Sequence, residues 1–333
     1  MLNNRRVLIA GGAGFIGSHV TQALIGANVG HVVVADNLCC GSRANLVGID
    51  VEFCMCDVSE LSAVRSVIQS HSVDTVLNLT TRSLPYSLEH PFPAVQETVT
   101  ATQTLCELQR EGAFETLIHF SSSEIYGNAQ GVPMTESHPI SPMTPYAAAK
   151  AACDHIVLSY HQTFGTRSYV LRPFNQFGPR EHIGKYSALI PRVIGAIAAN
   201  ESVIVNGDGM QSRDFLFVSD LAHATVSLLE KPVENGEIIH IASGEERTVN
   251  EVIEIIASLM DAHPEVIHVA PRPADVIRHV ASVEKAKKLL SWTPSVELKE
   301  GLRRTIHWHC NEHSAGKTFH RRRRMRSNLE TAA

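Results

Sequence analysis

Short, nearly continuous apolar runs rich in valine and isoleucine alternate with longer amphipathic stretches over the first half of the chain. Residues 7–10, 32–36, 51–57, 75–79, 116–122 and 168–172 have the length and β-branched content of buried strands. Between them, residues 16–27, 61–70 and 92–111 carry apolar side chains at helical spacing. Strands apolar on both faces need a cover on each side. The alternation therefore predicts an α/β fold: a doubly wound parallel sheet with helices on both faces.

Local signals sharpen some boundaries. Thr144 is placed to cap a helix whose first position is Pro145, where a missing N–H costs nothing, and Gly165 is a natural stop. Thr248-Val249-Asn250-Glu251 has the form of a capping box ahead of a helix through Met260. After about residue 172 the rhythm loosens into loops such as Pro179-Arg180, Gly207-Asp208-Gly209 and Pro271-Arg272-Pro273. This divides the chain into a sheet domain over 1–172, with a returning segment at about 214–242, and a smaller, partly interleaved lobe over 173–312. Residues 313–333, with Arg321-Arg322-Arg323-Arg324-Met325-Arg326, read as a basic, disordered tail.

The first strand runs into Gly11-Gly12-Ala13-Gly14-Phe15-Ile16-Gly17, which opens the first helix. Glycines at that junction permit a tight turn and let backbone amides and the helix N-terminus approach a pyrophosphate, the Rossmann arrangement. A glycine triplet alone is weak evidence. Here it has a strand before it, a helix after it, and Asp36 closing the second strand 19 residues beyond Gly17. A carboxylate there can bind both ribose hydroxyls and repels a 2′-phosphate, favouring NAD over NADP. The candidate cofactor contacts are Gly11, Gly14, Phe15, Ile16, Gly17, Asp36, Asn37, Asp57, Val58, Leu79 and Thr80, with Asp57 placed to accept from the adenine amino group.

Tyr146 and Lys150 are four residues apart, so a helix sets them one turn apart on one face. A phenol beside an ammonium, near an oxidised nicotinamide, is a proton acceptor suited to alcohol oxidation. The run Phe120-Ser121-Ser122-Ser123-Glu124-Ile125-Tyr126-Gly127 leaves a strand at the sheet edge where such folds bind ligands.

Composition excludes several alternatives. The 333 residues are 44% hydrophobic and 19% charged, with a net charge of -5, so nucleic acid and anionic membrane are not expected partners. No apolar run approaches the roughly 20 residues of a bilayer span, and the N-terminus leads directly into strand and glycine loop. Seven cysteines without CxxC spacing suit free thiols in a reducing cytoplasm. His307, His309, Cys310 and His313 do not share one helical face, so no metal is expected.

The glycine loop, the Ser-Ser-Ser-Glu-Ile-Tyr-Gly run, Tyr146-x-x-x-Lys150, residues 172–180 (Arg-Pro-Phe-Asn-Gln-Phe-Gly-Pro-Arg) and residues 207–215 (Gly-Asp-Gly-Met-Gln-Ser-Arg-Asp-Phe) occur in one order. Together they resemble the extended short-chain dehydrogenase/reductase family of nucleotide-sugar epimerases, dehydratases and decarboxylases, from about residue 5 to 312. That resemblance implies Tyr146 as catalytic base with its pKa lowered by cations, and Lys150 also holding the nicotinamide ribose. Ser122 would bond the reacting sugar hydroxyl, with Ser123 and Glu124 beside it. Ser87, Asn175, Arg180, Arg213, Arg272 and Asp275 would meet a nucleotide-diphosphate sugar, a UDP-sugar foremost, and two copies would pair through helices including that of Tyr146.

The branch rests on a few positions. Glu124 after Ser123 resembles the dehydratases and decarboxylases, but the 4,6-dehydratases carry Asp-Glu where this chain has Ser123-Glu124. The arginine that decarboxylases place ahead of their C-terminal tryptophan aligns with Val280. Arg272-Pro273-Ala274-Asp275 resembles the epimerase pattern, so 4-epimerisation through a transient 4-keto sugar is the expectation, with dehydration or decarboxylation as the alternative. A non-catalytic NAD-binding regulator on this fold usually lacks the Tyr or the Lys, and both are present. Arg82 departs from the family, facing either an anionic group on the sugar or solvent, and Thr98 stands where an asparagine is usual.

Overall fold

The computed structural model describes residues 2–231, 233–272 and 274–311. The basic tail therefore lies outside the described residues. Strands β1 (Arg6–Ala10), β2 (His31–Asp36), β3 (Glu52–Met55), β4 (Thr75–Asn78), β5 (Thr116–Phe120) and β6 (Arg167–Pro173) alternate with helices α1 (Phe15–Gly26), α2 (Leu61–Ser70), α3 (Leu84–Glu89), α4 (Pro91–Arg110) and α5 (Pro145–Phe164). There follow β7 (Gln176–Phe177), α6 (Leu189–Ala199), β8 (Val203–Asn206), β9 (Ser212–Asp214), β10 (Leu216–Phe217), α7 (Val218–Glu230), β11 (Ile238–Ile241), β12 (Glu246–Thr248), α8 (Val249–Leu259), β13 (Val266–Val269) and α9 (Glu284–Leu290). Residues 298–311 are helical.

Seven strands form one parallel sheet in the order β11-β6-β5-β4-β1-β2-β3. This is the expected doubly wound fold. Leu8, Val33, Val76 and Leu117 pack on one face with Val64, Leu105 and Val157 of the helices. Ile9, Val34, Ile118 and Leu171 pack on the other with Val20, Leu221 and Leu228. Both faces being dry is why these strands read as unbroken apolar runs.

The chain order reverses between β1 and β4, opening a crevice at the carboxyl ends of the strands. After β6 the chain leaves the sheet, builds part of the lobe, and returns through α7 and β11. It returns a second time, because Ala286, Leu290 and Trp292 join the same apolar layer, with α9 packed against β11 and α7. That second return falls within 173–312 and carries no strand, so periodicity did not reveal it. The lobe has its own core around Phe177, Val193, Ile194, Phe215, Val252 and Leu302.

The helix signals operate as expected. Thr144 accepts from Ala147 N at 3.2 Å, Gly165 closes α5 at φ 70°, and Thr248 with Glu251 forms a reciprocal capping box on α8.

Candidate active site

A cleft of about 750 Å³ opens at the switch point between sheet and lobe. Its sheet side begins with the glycine loop. Gly11 adopts φ +81°, and a Cβ at Gly17 would lie 2.3 Å from the Gly11 carbonyl oxygen, so helix and loop approach too closely for any side chain there. The first turn of α1 starts at Gly14 with no side-chain cap, leaving its N–H groups for an anion. Asp36 is buried at the end of β2, accepting from Leu38 N at 2.7 Å and Ala13 N at 3.0 Å. Asp57 accepts from Ser59 at 2.7 Å and from Asn37 Nδ2 at 3.0 Å, and the Ser59 hydroxyl holds its carboxyl below the usual range.

Gly11, Gly14, Phe15, Ile16, Gly17, Asp36, Asn37, Asp57, Val58, Leu79 and Thr80 all line this cleft. A turn that only glycine permits, an uncapped helix start and a carboxylate at the second strand end fit a pyridine dinucleotide of the NAD type.

Tyr146, Ser122, Ser123, Glu124 and Lys150 line the same cleft further along. Tyr146 sits in the first turn of α5, and the Ser122 hydroxyl is near enough to favour its ionised form. Lys150, one turn on and buried, donates to the Phe120 carbonyl at 2.8 Å. The charge balance differs from expectation. Burial pushes the Tyr146 phenol up to about 12, the Ser122 hydroxyl opposes this, and Glu124 adds to it. Burial also lowers Lys150. The protein alone therefore keeps Tyr146 protonated, and a phenolate requires further positive charge in the cleft.

Below this pair lies a buried polar network. Asp154, one turn beyond Lys150, accepts from Arg172 Nε at 2.9 Å, and Arg172 Nη1 donates to the Tyr126 hydroxyl at 2.6 Å. The Tyr126 oxygen also lies 2.6 Å from His240 Nε2 on β11. Tyr146, Lys150 and Asp154 thus form one stripe of α5, its last member pinned to β6.

On the lobe side, Arg213 donates to Asp275 at 2.9 Å, and Arg272 Nη2 lies 3.4 Å from the same carboxylate oxygen. Glu124 is buried close enough to feel Arg213, Asp275 and Arg272, with burial raising its pKa. Asn175 presents a buried amide nitrogen that has no hydrogen-bond partner. An open donor beside two arginines is a constellation for a diphosphate, which takes planar donor forks and amides readily.

One expectation needs correction. Ser87 does not line the cleft: it is buried, its hydroxyl donating to the Leu84 carbonyl at 2.8 Å and accepting from Tyr146 N at 3.3 Å. It steadies the start of α5. Arg180 lines the cleft, giving Nη2 to Gln22 of α1 at 2.6 Å and keeping a buried Nη1 without a hydrogen-bond partner. Arg82 also lines the cleft; it donates to Glu97 at 2.5 Å, and its guanidinium lies 5.0 Å from the centre of the Tyr86 ring.

Sequence reasoning missed other lining residues, among them Cys39, Cys40, Gln176, Glu181, Tyr186 and Trp308. Cys40 Sγ lies 3.5 Å from Arg82, and the Cys39 hydrogen bond and that guanidinium lower its thiol to about 6. Glu181 directs an unpartnered carboxylate oxygen inward, and burial raises it to about 8. Trp308 had no signal beyond its place in the final helix. Cys39, Cys40, Cys54, Cys56, Cys106 and Cys153 are free thiols.

A family model described as GDP-mannose 4,6 dehydratase matches residues 8–305. The chain belongs to the extended short-chain dehydrogenase/reductase family of nucleotide-sugar epimerases and dehydratases. A dTDP-glucose 4,6-dehydratase of Xanthomonas campestris is 33% identical over 330 residues, covering 91% of this chain and 92% of its own. A UDP-glucuronate 4-epimerase of Thermodesulfobacterium geofontis is 31% identical over 313 residues, covering 90% and 95%. The structure of a Thermus thermophilus UDP-glucose 4-epimerase complex with NAD superposes with a TM-score of 0.85 at 31% identity, covering 91% of this chain and 98% of that one. The chain is an enzyme of this family, and among its described residues no helix is long and apolar enough to cross a membrane.

Proposed function

We propose that this enzyme is an NAD-dependent nucleotide-sugar 4-epimerase, with a UDP-sugar as the foremost substrate. The observation that carries the oxidation step is that Tyr146, Ser122 and Lys150 line one cleft together with the glycine loop.

In this reading the glycine loop, the first turn of α1, Asp36 and Asp57 hold NAD, with Lys150 at the nicotinamide ribose. NAD, when bound, supplies the hydride acceptor and donor. Ser122 orients the sugar 4-hydroxyl toward Tyr146, whose oxygen takes the hydroxyl proton as the C4–H bond gives up its hydride. Arg213 and Arg272, spaced by Asp275, grip the diphosphate, and Asn175 supplies its free amide donor. Held by its nucleotide, the 4-keto sugar turns within the cleft and offers its other face. Tyr146 then returns the proton as C4 regains hydride, so no net redox change remains.

Two observations favour epimerisation. Ser123 stands where a dehydratase pair would have a second acid, and Val280 stands where decarboxylases carry their carboxylate-handling arginine. Glu124, buried with a raised pKa, supports the alternative in which a carboxyl exchanges the C5 proton. We further expect homodimerisation through α4 and α5 and a cytoplasmic location.

The test is product analysis with UDP-glucose, UDP-glucuronate and UDP-N-acetylglucosamine by mass spectrometry and NMR. The expected product has unchanged mass and an inverted C4. Loss of water assigns the dehydratase reading, and loss of carbon dioxide the decarboxylase. No turnover and no transient reduced-cofactor absorbance with any nucleotide sugar overturns the catalytic reading.

A further inference from the structure

At the opposite end of the sheet from the cleft, three side chains distant in sequence converge. His31 opens β2, Glu52 opens β3, and His71 follows α2. Glu52 Oε2 lies 3.4 Å from His71 Nδ1 and 3.8 Å from His31 Nε2, and the three ligand-capable atoms all lie within 4.8 Å of one another. The two imidazoles are stacked, with ring centres 5.7 Å apart and an angle of 19° between planes.

We infer that His31, Glu52 and His71 form a binding site for a divalent transition metal of the zinc class. Two imidazole nitrogens and one carboxylate oxygen are the donor set that borderline-soft cations prefer over calcium or magnesium. Bonds of about 2.0–2.1 Å in a tetrahedron set ligand atoms roughly 3.4 Å apart. The Glu52–His71 separation already has that length, the Glu52–His31 one exceeds it by 0.4 Å, and the two imidazole nitrogens, within 4.8 Å of each other, close by side-chain rotation.

Independent features prepare the site. His31 Nε2 is buried with no hydrogen-bond partner, an expensive state for a polar nitrogen unless something else binds its lone pair. The other ring nitrogen of His71, Nε2, lies 3.6 Å from Cys54 Sγ, which orients Nδ1 toward Glu52 as second contacts orient metal-bound imidazoles. Arg6 Nε donates to the His71 carbonyl at 2.6 Å and fixes the backbone. Glu52 is exposed, so the fourth position opens to solvent and a bound ion keeps a water there. Such an ion ties β2, β3 and α2 together at the sheet margin.

The test uses tag-free, chelator-treated full-length chain titrated with zinc chloride, read by calorimetry and by thermal melting. One zinc per chain is expected at micromolar affinity or tighter, with a rise in Tm. Glu52→Gln, an exposed change that leaves the fold intact, and His71→Gln are each expected to weaken binding at least tenfold and abolish the Tm rise. His307→Gln, an exposed histidine elsewhere, should leave both unchanged. Absence of zinc binding, an affinity unaltered in Glu52→Gln, or loss of binding in His307→Gln alone would each overturn the assignment.

Discussion

Replacing Arg172 by methionine tests whether the stripe on α5 is held by charge. Arg172 and Asp154 are 2% and 0% exposed, and their ion pair measures 2.9 Å. His119 Nε2 lies 3.6 Å from the other Asp154 oxygen but is driven by burial to stay neutral, so it offers no substitute cation. Methionine fills similar space and strands a carboxylate in the interior. Breaking a buried pair from one side costs about 3–5 kcal/mol. With an unfolding entropy of roughly 2.1 cal/mol/K per residue over 333 residues, about 4 kcal/mol lowers Tm by about 6 °C. The double variant Arg172→Met with Asp154→Asn removes the stranded charge and should recover at least half of that loss. Urea denaturation of the four species, combined as a double-mutant cycle, gives the coupling directly. A single-variant cost below about 1 kcal/mol, or strict additivity in the double variant, refutes the argument.

Tyr146→Phe should reduce turnover to background while leaving NAD binding within a few-fold, measured by product formation and cofactor fluorescence; retained turnover removes Tyr146 as base. Glu124→Gln should cost an epimerase less than about tenfold in kcat but a C5-proton reaction about 10²–10⁴-fold, so the two readings separate on one rate. Glu181 has a folded pKa of about 8 against an ordinary 4.5. The folded state therefore binds its proton more tightly, and wild-type stability should rise as pH falls from about 8 to 4.5. Glu181→Gln lacks this dependence, so its Tm advantage over wild type should grow from pH 5 to pH 8 and then level. A pH-independent difference would show that the carboxyl is not desolvated.

Much of the sheet domain was legible because its physics is repetitive. Strands buried on both faces must be apolar throughout, and Thr144 ahead of Pro145 marks the start of α5 through purely local bonds. Tyr146 and Lys150 could be paired because helical spacing is local. Legibility failed where one side chain chooses between partners far away in sequence. Nothing around Ser87 says that its hydroxyl serves the backbone of α5, and nothing around Arg82 names Glu97. The lobe was harder because strands such as Gln176–Phe177 and Leu216–Phe217 are too short to show periodicity. The phenol of Tyr146 illustrates a third limit. The resemblance implies a pKa lowered by Lys150 together with a bound nicotinamide, whereas desolvation, a property of the assembled cleft, raises it in the chain alone.

The two walls of the cleft differ in how firmly they are built. Tyr146 and Lys150 stand on a long helix anchored to a seven-stranded frame, whereas Asn175, Arg213 and Arg272 sit on hairpin-scale ladders and turns. A lineage can therefore remodel what it grips without disturbing how it oxidises, and descendants of one ancestor can diverge in product while sharing an opening move. The same asymmetry recommends where to diversify this enzyme in the laboratory: randomising Asn175, Arg272 and Asp275 should redirect its choice of sugar at little cost to folding.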